Sequence, residues 1–203
     1  MTKPGKTPTR SKLFFLRQYL SEPLGTGSIT PSSKRLAQLM VGHLDLEPGE
    51  VVVELGPGTG VFTRALLEHG VLPQNLILVE FNPDFANFLR NEFPEVRIVQ
   101  GDACALPQLL AALGQGKVKR IVSGIPLRSL KPAQRELITI AIANTLEAGG
   151  VAVQFTYFKT APLPASVAND HGLSGRQVAV ALRNVPPAFV WRYVKSVVDH
   201  VSA

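Results

Sequence analysis

The segment Val51-Val52-Val53-Glu54-Leu55-Gly56-Pro57-Gly58-Thr59-Gly60 constrains this chain more than any other. A short β-branched run ends in a glycine-rich turn, and amphipathic sequence follows from Val61 to His69. This reads as strand, turn, helix. Glycines let the backbone approach a ligand closely, and a helix start offers N–H groups without intrahelical partners. Taken alone, G-x-G-x-G also fits a mere tight turn. A dinucleotide site uses G-x-G-x-x-G and holds a pyrophosphate at the helix start. Here the third glycine comes one residue early, and Glu54 precedes the turn. A carboxylate beside the ligand repels a pyrophosphate and suits a cation.

Downstream the pattern alternates. Strands are expected at Leu76–Glu80, Val96–Val99, Arg120–Ser123 and Val151–Tyr157. Helices are expected at Pro83–Glu92 and Pro132–Leu146, and a closing hairpin at Gln177–Arg183 and Phe189–Lys195. Alternation of this kind predicts an α/β fold with a mainly parallel sheet covered on both faces, its last hairpin antiparallel. Residues Lys159 to Gly175 form the longest irregular stretch and are expected to loop over the site. Glu80 ends the second strand about 20 residues beyond the turn, where a carboxylate can accept ribose hydroxyls. Asp102 follows the third strand in Gly101-Asp102-Ala103, placed to accept from an adenine amino group. Ligands of open α/β sheets bind along this edge.

The N-terminal segment differs in character. Lys3, Lys6, Arg10, Lys12 and Arg17 precede the first acid, Glu22, and account for most of the net charge of +6. Lys12 to Leu20 reads as a helix with Leu13, Phe15, Leu16, Tyr19 and Leu20 on one broad face. A second helix is expected from Pro31 to about Leu44, capped by Thr30. A basic, apolar helix suits an anionic surface, whether lipid or nucleic acid, although packing on the domain explains it equally. The hairpin residues Phe189, Trp191, Arg192 and Lys195 are a second candidate for that contact. No apolar run approaches the roughly 18 residues that span a bilayer, and no secretory signal is expected in the polar start. A single cysteine, Cys104, fits a reducing compartment and a small packed residue. A monomer at the cytoplasmic face of the membrane is the expectation.

Glu54 to Gly60, Glu80 and Asp102 together resemble the cofactor motifs of class I S-adenosylmethionine methyltransferases. The resemblance implies a Rossmann-like, seven-stranded domain over residues 31–203, behind a lid formed by residues 1–30. It implies S-adenosylmethionine, whose ammonium and sulfonium suit Glu54. It also implies cofactor contacts from Gly27, Ser28, Ile29, Glu54, Gly56, Gly58, Thr59, Gly60, Glu80, Phe81, Asp102, Ala103, Ser123 and Gly124, with no metal. Within the superfamily the chain resembles bacterial phosphatidylethanolamine N-methyltransferases and, more distantly, ribosomal RNA adenine dimethyltransferases.

The segment after the fourth strand bears on the substrate. Enzymes acting on a base amino group usually place Asn or Asp there, then Pro and an aromatic ring that stacks on the extruded base. This chain has Ser123-Gly124-Ile125-Pro126-Leu127, without amide or ring, so a lipid amine is the expected substrate and nucleic acid is disfavoured. Ile125-Pro126 also fits a simple strand-ending turn. The amine must lose a proton before it attacks. Tyr19, Tyr157, Asp170 and His171 are the candidates to handle it, and the sequence leaves them unranked. Tyr rings also suit the methylated, cationic products.

Overall fold

Val52–Leu55 (β1) and Leu76–Glu80 (β2) are buried at every position, as the centre of a parallel sheet covered on both faces requires. The computed structural model describes residues 31–182, Asn184 and residues 186–197. The expected N-terminal helix, the Thr30 cap, and Tyr19, Gly27, Ser28 and Ile29 lie outside the described residues. The chain continues with Pro31–Gly42 (α1), β1, Val61–Glu68 (α2), β2, Pro83–Glu92 (α3) and Arg97–Gln100 (β3). Then come Leu106–Ala112 (α4), Val118–Ser123 (β4), Pro132–Thr145 (α5), Leu146–Thr156 (β5), Ala165–Asp170 (α6), Leu173–Ala181 (β6) and Ala188–Lys195 (β7).

The seven strands lie in the order β3-β2-β1-β4-β5-β7-β6. β1 to β5 are mutually parallel, and β7 runs antiparallel to both β5 and β6. This is the expected Rossmann-like sheet with its closing antiparallel hairpin. The chain steps outward from β1 to β3 and then returns to lay β4 against the other side of β1. The strand order therefore reverses between β1 and β4, where such sheets open a crevice at their carboxyl edge.

Alternation along the strands divides the core. On one face Val52, Leu76, Leu78, Val122, Val153 and Phe155 pack with Leu36 and Met40 of α1 and Phe62 and Leu66 of α2. On the other, Val53, Leu55, Ile77, Val79 and Ile121 pack with Leu106 and Leu110 of α4 and Ile138 and Ile142 of α5. Each such large side chain contributes about 1.5–3 kcal/mol on burial.

Two expectations are corrected. The stretch Lys159 to Gly175 is irregular at the carboxyl edge only as far as Pro164; from Ala165 it is a helix and then the start of β6. Leu163 and Ala168 are buried in the second core, and Leu163 N donates to the Tyr193 hydroxyl at 3.3 Å. Helix α6 packs on α5 and β6, and β6 begins at Leu173 rather than Gln177. Ser174 to Gln177 are exposed because β6 is an edge strand, so the sequence carries no inward-facing apolar signal there. Helix α4 was also not anticipated; its two inward leucines, Leu106 and Leu110, are too few to set a helical period.

At the amino edge a charged clasp joins the α1–β1 loop to the sheet. Arg120 Nε lies 3.1 Å from Glu50 Oε2 and donates to Asp45 O at 2.8 Å. Arg192 pairs with the Asp45 carboxylate and donates to His43 O at 3.2 Å. The Arg120 and Glu50 side chains are only 7% and 11% exposed, so breaking the pair strands a nearly buried charge. Arg120→Met should therefore lower the urea midpoint by an amount equivalent to about 3 kcal/mol. Lys34→Met removes a pair with both side chains about half exposed and should shift it by less than about 1 kcal/mol. Equal shifts would mean that the clasp stabilises no more than a surface pair.

Candidate functional site

The turn after β1 holds three glycines with positive φ, at 65° (Gly56), 56° (Gly58) and 80° (Gly60), a region that disfavours side chains. Their surroundings differ. Gly56 N donates to Val79 O at 2.9 Å, and a Cβ there would come 2.8 Å from Ile125 Cγ1. At Gly60 a Cβ would meet the Phe93 ring at 2.6 Å, so this glycine lets α2 sit close to the core. At Gly58 a Cβ would meet nothing within 4 Å. Gly58 is thus the point where the backbone faces open space, and Gly56 and Gly60 are fixed by packing. Arg64 braces the turn by donating to Thr59 O at 2.9 Å and to Glu92 at 2.7 Å, with its guanidinium 5.2 Å from the Phe93 ring centre.

The three strand-end acids gather around this turn. Glu80 Oε2 accepts from Gly58 N at 3.1 Å and Oε1 accepts from Asn82 N at 2.8 Å. One backbone bond on each oxygen orients the carboxylate and leaves acceptor capacity for hydroxyl donors. Phe81, beside it, is 73% exposed, an apolar face at the rim of the crevice. Asp102 Oδ1 accepts from Cys104 N at 2.9 Å, capping the turn that contains buried Ala103. Burial and the neighbouring Asp102 push the Cys104 thiol up to about 11, so at neutral pH it is no nucleophile.

Glu54 is different, being fully buried. Thr63 Oγ1 donates to its Oε2 at 2.7 Å, and its Oε1 has no hydrogen-bond partner. Burial pushes its carboxyl up to about 8, against the Thr63 hydrogen bond and with help from the Glu80 charge. An unpaired buried carboxylate oxygen behind a glycine turn is a place for positive charge, so the residues present fit a cationic ligand group.

Across the switch point, Gly124 N donates to Leu55 O at 2.8 Å and binds the post-β4 turn to β1. Ser123 is buried, and its Oγ accepts from Ile125 N at 3.4 Å. Gln154, paired with Ser123 across β4 and β5, donates through Nε2 to Ile125 O at 2.9 Å. Sequence reading passed over Gln154 and Arg64. The signal for Gln154 was a polar residue inside the apolar run of β5; Arg64 carries no signal without coordinates.

Tyr157 follows β5 at the carboxyl edge, 38% exposed, with its ring edge-on to Phe155 at 5.5 Å. Burial raises its hydroxyl above the usual tyrosine value. It therefore stays protonated near neutrality and offers a ring face and a hydroxyl rather than a phenolate. His171 and Asp170 are not in this site. β7 runs antiparallel to β5 and β6 runs parallel to it, so α6 carries the chain back across the sheet and Leu173 and Lys195 pair at the opposite, amino edge. There His171 Nδ1 meets Val167 O at 3.0 Å, and its carbonyl accepts from Lys195 Nζ at 2.6 Å. Its role is to close α6. The expectation failed because α6 returns the chain to the amino edge before β6 begins, which sequence proximity to β5 conceals.

The raised Glu54 pKa fixes a sign. Below its unfolded value of about 4.5 the acid is neutral in both states. As pH rises toward about 8 the unfolded chain ionises first, so the unliganded fold should lose stability across that window, on the order of a few kcal/mol. Glu54→Gln should remove most of that loss. It should also weaken binding of a cationic cofactor by at least about tenfold, as one lost ion pair implies. Thermal melts at several pH values and calorimetry check both. A wild-type melt that stays flat from pH 5 to 8 would contradict the assignment.

A family model described as ribosomal RNA adenine dimethylase matches residues 32–120. The chain is 33% identical over 146 residues to an ornithine lipid N-methyltransferase of Singulisphaera acidiphila, an alignment covering 70% of this chain and 76% of that one. It is 39% identical over 104 residues to ribosomal RNA small subunit methyltransferase A of Laribacter hongkongensis, but spans only 38% of that protein. Among solved structures, magnesium protoporphyrin IX methyltransferase from Synechocystis with bound SAM superposes with a TM-score of 0.68 at 13% identity, over 94% of this chain and 100% of that one. At that identity the likeness concerns the fold. S-adenosylmethionine is the cofactor of this fold, and Glu54, Glu80, Asp102 and the open face of Gly58 are the groups that would hold it. With the glycine turn, the strand-end acids, the sheet order and the 33% identical relative in agreement, the chain belongs to the class I S-adenosylmethionine-dependent methyltransferases, in the family of that lipid N-methyltransferase.

Proposed function

We propose that this enzyme methylates the amine of a membrane lipid headgroup, with phosphatidylethanolamine and its mono- and dimethyl derivatives as substrates and phosphatidylcholine as the end product. The carrying observation is the extent of the match. The lipid N-methyltransferase aligns over 146 residues and 76% of its own length, whereas the ribosomal family model stops at residue 120. A ribosomal RNA small subunit methyltransferase A of Chlorobium limicola aligns over 159 residues, but at 26% identity and over 58% of its own length. Substrate recognition falls to Ser123–Leu127, which contains neither the amide nor the stacking ring of base methylation, and to the end of β5. The relative's ornithine lipid also presents an amine, so the two lipid substrates share their chemistry. The enzyme acts as a peripheral protein on the cytoplasmic face of the membrane; no described helix is long and apolar enough to cross one.

S-adenosylmethionine supplies an electrophilic methyl group, and a neutral amine attacks it directly. The protein's share is to position the amine, exclude water and offset charge. The turn held by Gln154 and the Tyr157 ring border the entrance at the carboxyl edge. An aromatic face there favours the increasingly methylated ammonium products. Because Tyr157 remains protonated, water is the simplest acceptor of the amine proton.

Labelled cofactor should be incubated with liposomes of phosphatidylethanolamine, with ornithine lipid, and with total RNA. Label is expected in phosphatidylethanolamine. Label in ornithine lipid alone would move the substrate to the relative's lipid, and label in RNA alone would reject the lipid reading. Tyr157→Phe should retain most turnover, whereas Tyr157→Ala should lose about tenfold, the size of one cation–π contact. A large loss in Tyr157→Phe that is restored at high pH would instead make the hydroxyl the proton acceptor.

A further inference from the structure

The carboxyl edge of the sheet divides into two halves of opposite character. Over the cofactor half lie the acids Glu80, Asp84 and Asp102, following β2 and β3. Over the other half lie the segments 124–134 and 157–164 and, from the hairpin turn, Leu182, Asn184, Pro186 and Pro187, and none of these residues is Asp or Glu. They carry exposed Arg128, Lys131 and Lys159. The register places them together: Thr156 pairs with Phe189, and Ala188 pairs with Ala181, so the hairpin turn stands beside the end of β5. Large apolar side chains are exposed here as well, Leu182 at 76%, Phe158 at 46% and Tyr157 at 38%. Arg128 lies with its guanidinium 5.4 Å from the Phe158 ring centre, linking the β4 and β5 segments. The opposite edge mixes its charges, with Glu47 and Glu147 among Lys117 and Lys119.

We propose that this basic, apolar half of the edge, around Leu182, Phe158, Arg128, Lys131 and Lys159, is the surface that docks on an anionic bilayer. Resting on the lipid reading above, it brings the headgroup amine to Tyr157 without the lipid leaving the membrane. Aromatic and aliphatic side chains enter the headgroup layer and the ring of cations meets anionic lipid. A polyanion such as RNA would use the cations and the rings, but it has no use for the aliphatic hairpin tip of Leu182, Pro186 and Pro187, which suits a headgroup layer. The other face suggested by the sequence is already engaged. Arg192 is tied to Asp45 and His43, Lys195 to His171 O, and Trp191 is packed against the core.

The test uses the full chain and sedimentation with vesicles of phosphatidylcholine, with and without phosphatidylglycerol, neither bearing a substrate amine. The wild type is expected to bind the anionic vesicles, and salt should weaken it. Arg128→Glu with Lys159→Glu should lower binding at least tenfold. Leu182→Ser with Phe158→Ser should lower it about tenfold and leave the remainder more salt-sensitive. Arg97→Glu with Lys117→Glu makes the same charge change at the opposite edge and should change binding less than twofold. Cofactor affinity by calorimetry, unchanged in all three, confirms folding. No binding by the wild type, equal loss in the opposite-edge control, or full binding by the Leu182/Phe158 variant would overturn the proposal. The last result, joined to loss of RNA retention in the Arg128/Lys159 variant, would assign the surface to nucleic acid. Because these vesicles contain no methyl acceptor, failure of the lipid-methylation assay and failure of docking are separate outcomes.

Discussion

The carboxylate of Glu54 sits at the end of β1 with one oxygen satisfied by Thr63 and the other by nothing. Leaving an acid so poorly compensated in the core destabilises the unliganded protein at pH above the usual carboxylate range, because burial holds it protonated where the unfolded chain would ionise. The surrounding residues explain why the fold tolerates it. Leu55 and Val53 bury the opposite face of the strand, and β2 and β4 flank it on both sides. The strand cannot move to hydrate the acid without giving up that packing. Rigid burial therefore holds a carboxyl ready for a cation and raises its pKa at the same time.

From that constraint the turn follows. The backbone must leave β1 without shielding the space above it, and Gly58 does this with φ of 56° and no neighbour within 4 Å of where its Cβ would be. The bond from Gly58 N to Glu80 then couples the turn to the end of β2. The group assigned to ribose thus also locks the loop, so a substitution at Glu80 disturbs two things at once. Arg64 plays the matching part on the other side, joining Thr59 O to Glu92 of α3.

Most of this frame was legible in the sequence because parallel central strands read as unbroken apolar runs, and glycines before helices are chemically conspicuous. β2 and α3 fall at their expected bounds. Where the chain passes to the sheet margin the reading failed. β6 exposes Ser174 to Gln177, and α6 is one short turn-rich helix, so neither shows a period that one face would impose. The misplacement of His171 has the same root. Parallel strands bring the loops that follow them to one edge, but residues at the far end of a crossover helix return to the other, as His171 does after α6. Gln154 was hidden differently: its role is visible only when β4 and β5 are set in register beside Ile125.

The two halves of the site answer to different chemistry. Residues 32–120 carry the acids and glycines that any S-adenosylmethionine enzyme of this fold needs, and the ribosomal family model matches there. Beyond β4 the chain is free of acids at the carboxyl edge, and aromatic and aliphatic side chains take the exposed positions. A cationic cofactor favours acids, whereas an anionic surface approaching the same crevice would be repelled by them. Placing the two on opposite sides of the switch point resolves that conflict. The acids lie around Glu54, and the bases and rings lie where an amine headgroup must arrive. On the proposed lipid reading, the electrostatic asymmetry along one sheet edge would align the methyl donor and the lipid acceptor before any side chain touches the reacting nitrogen.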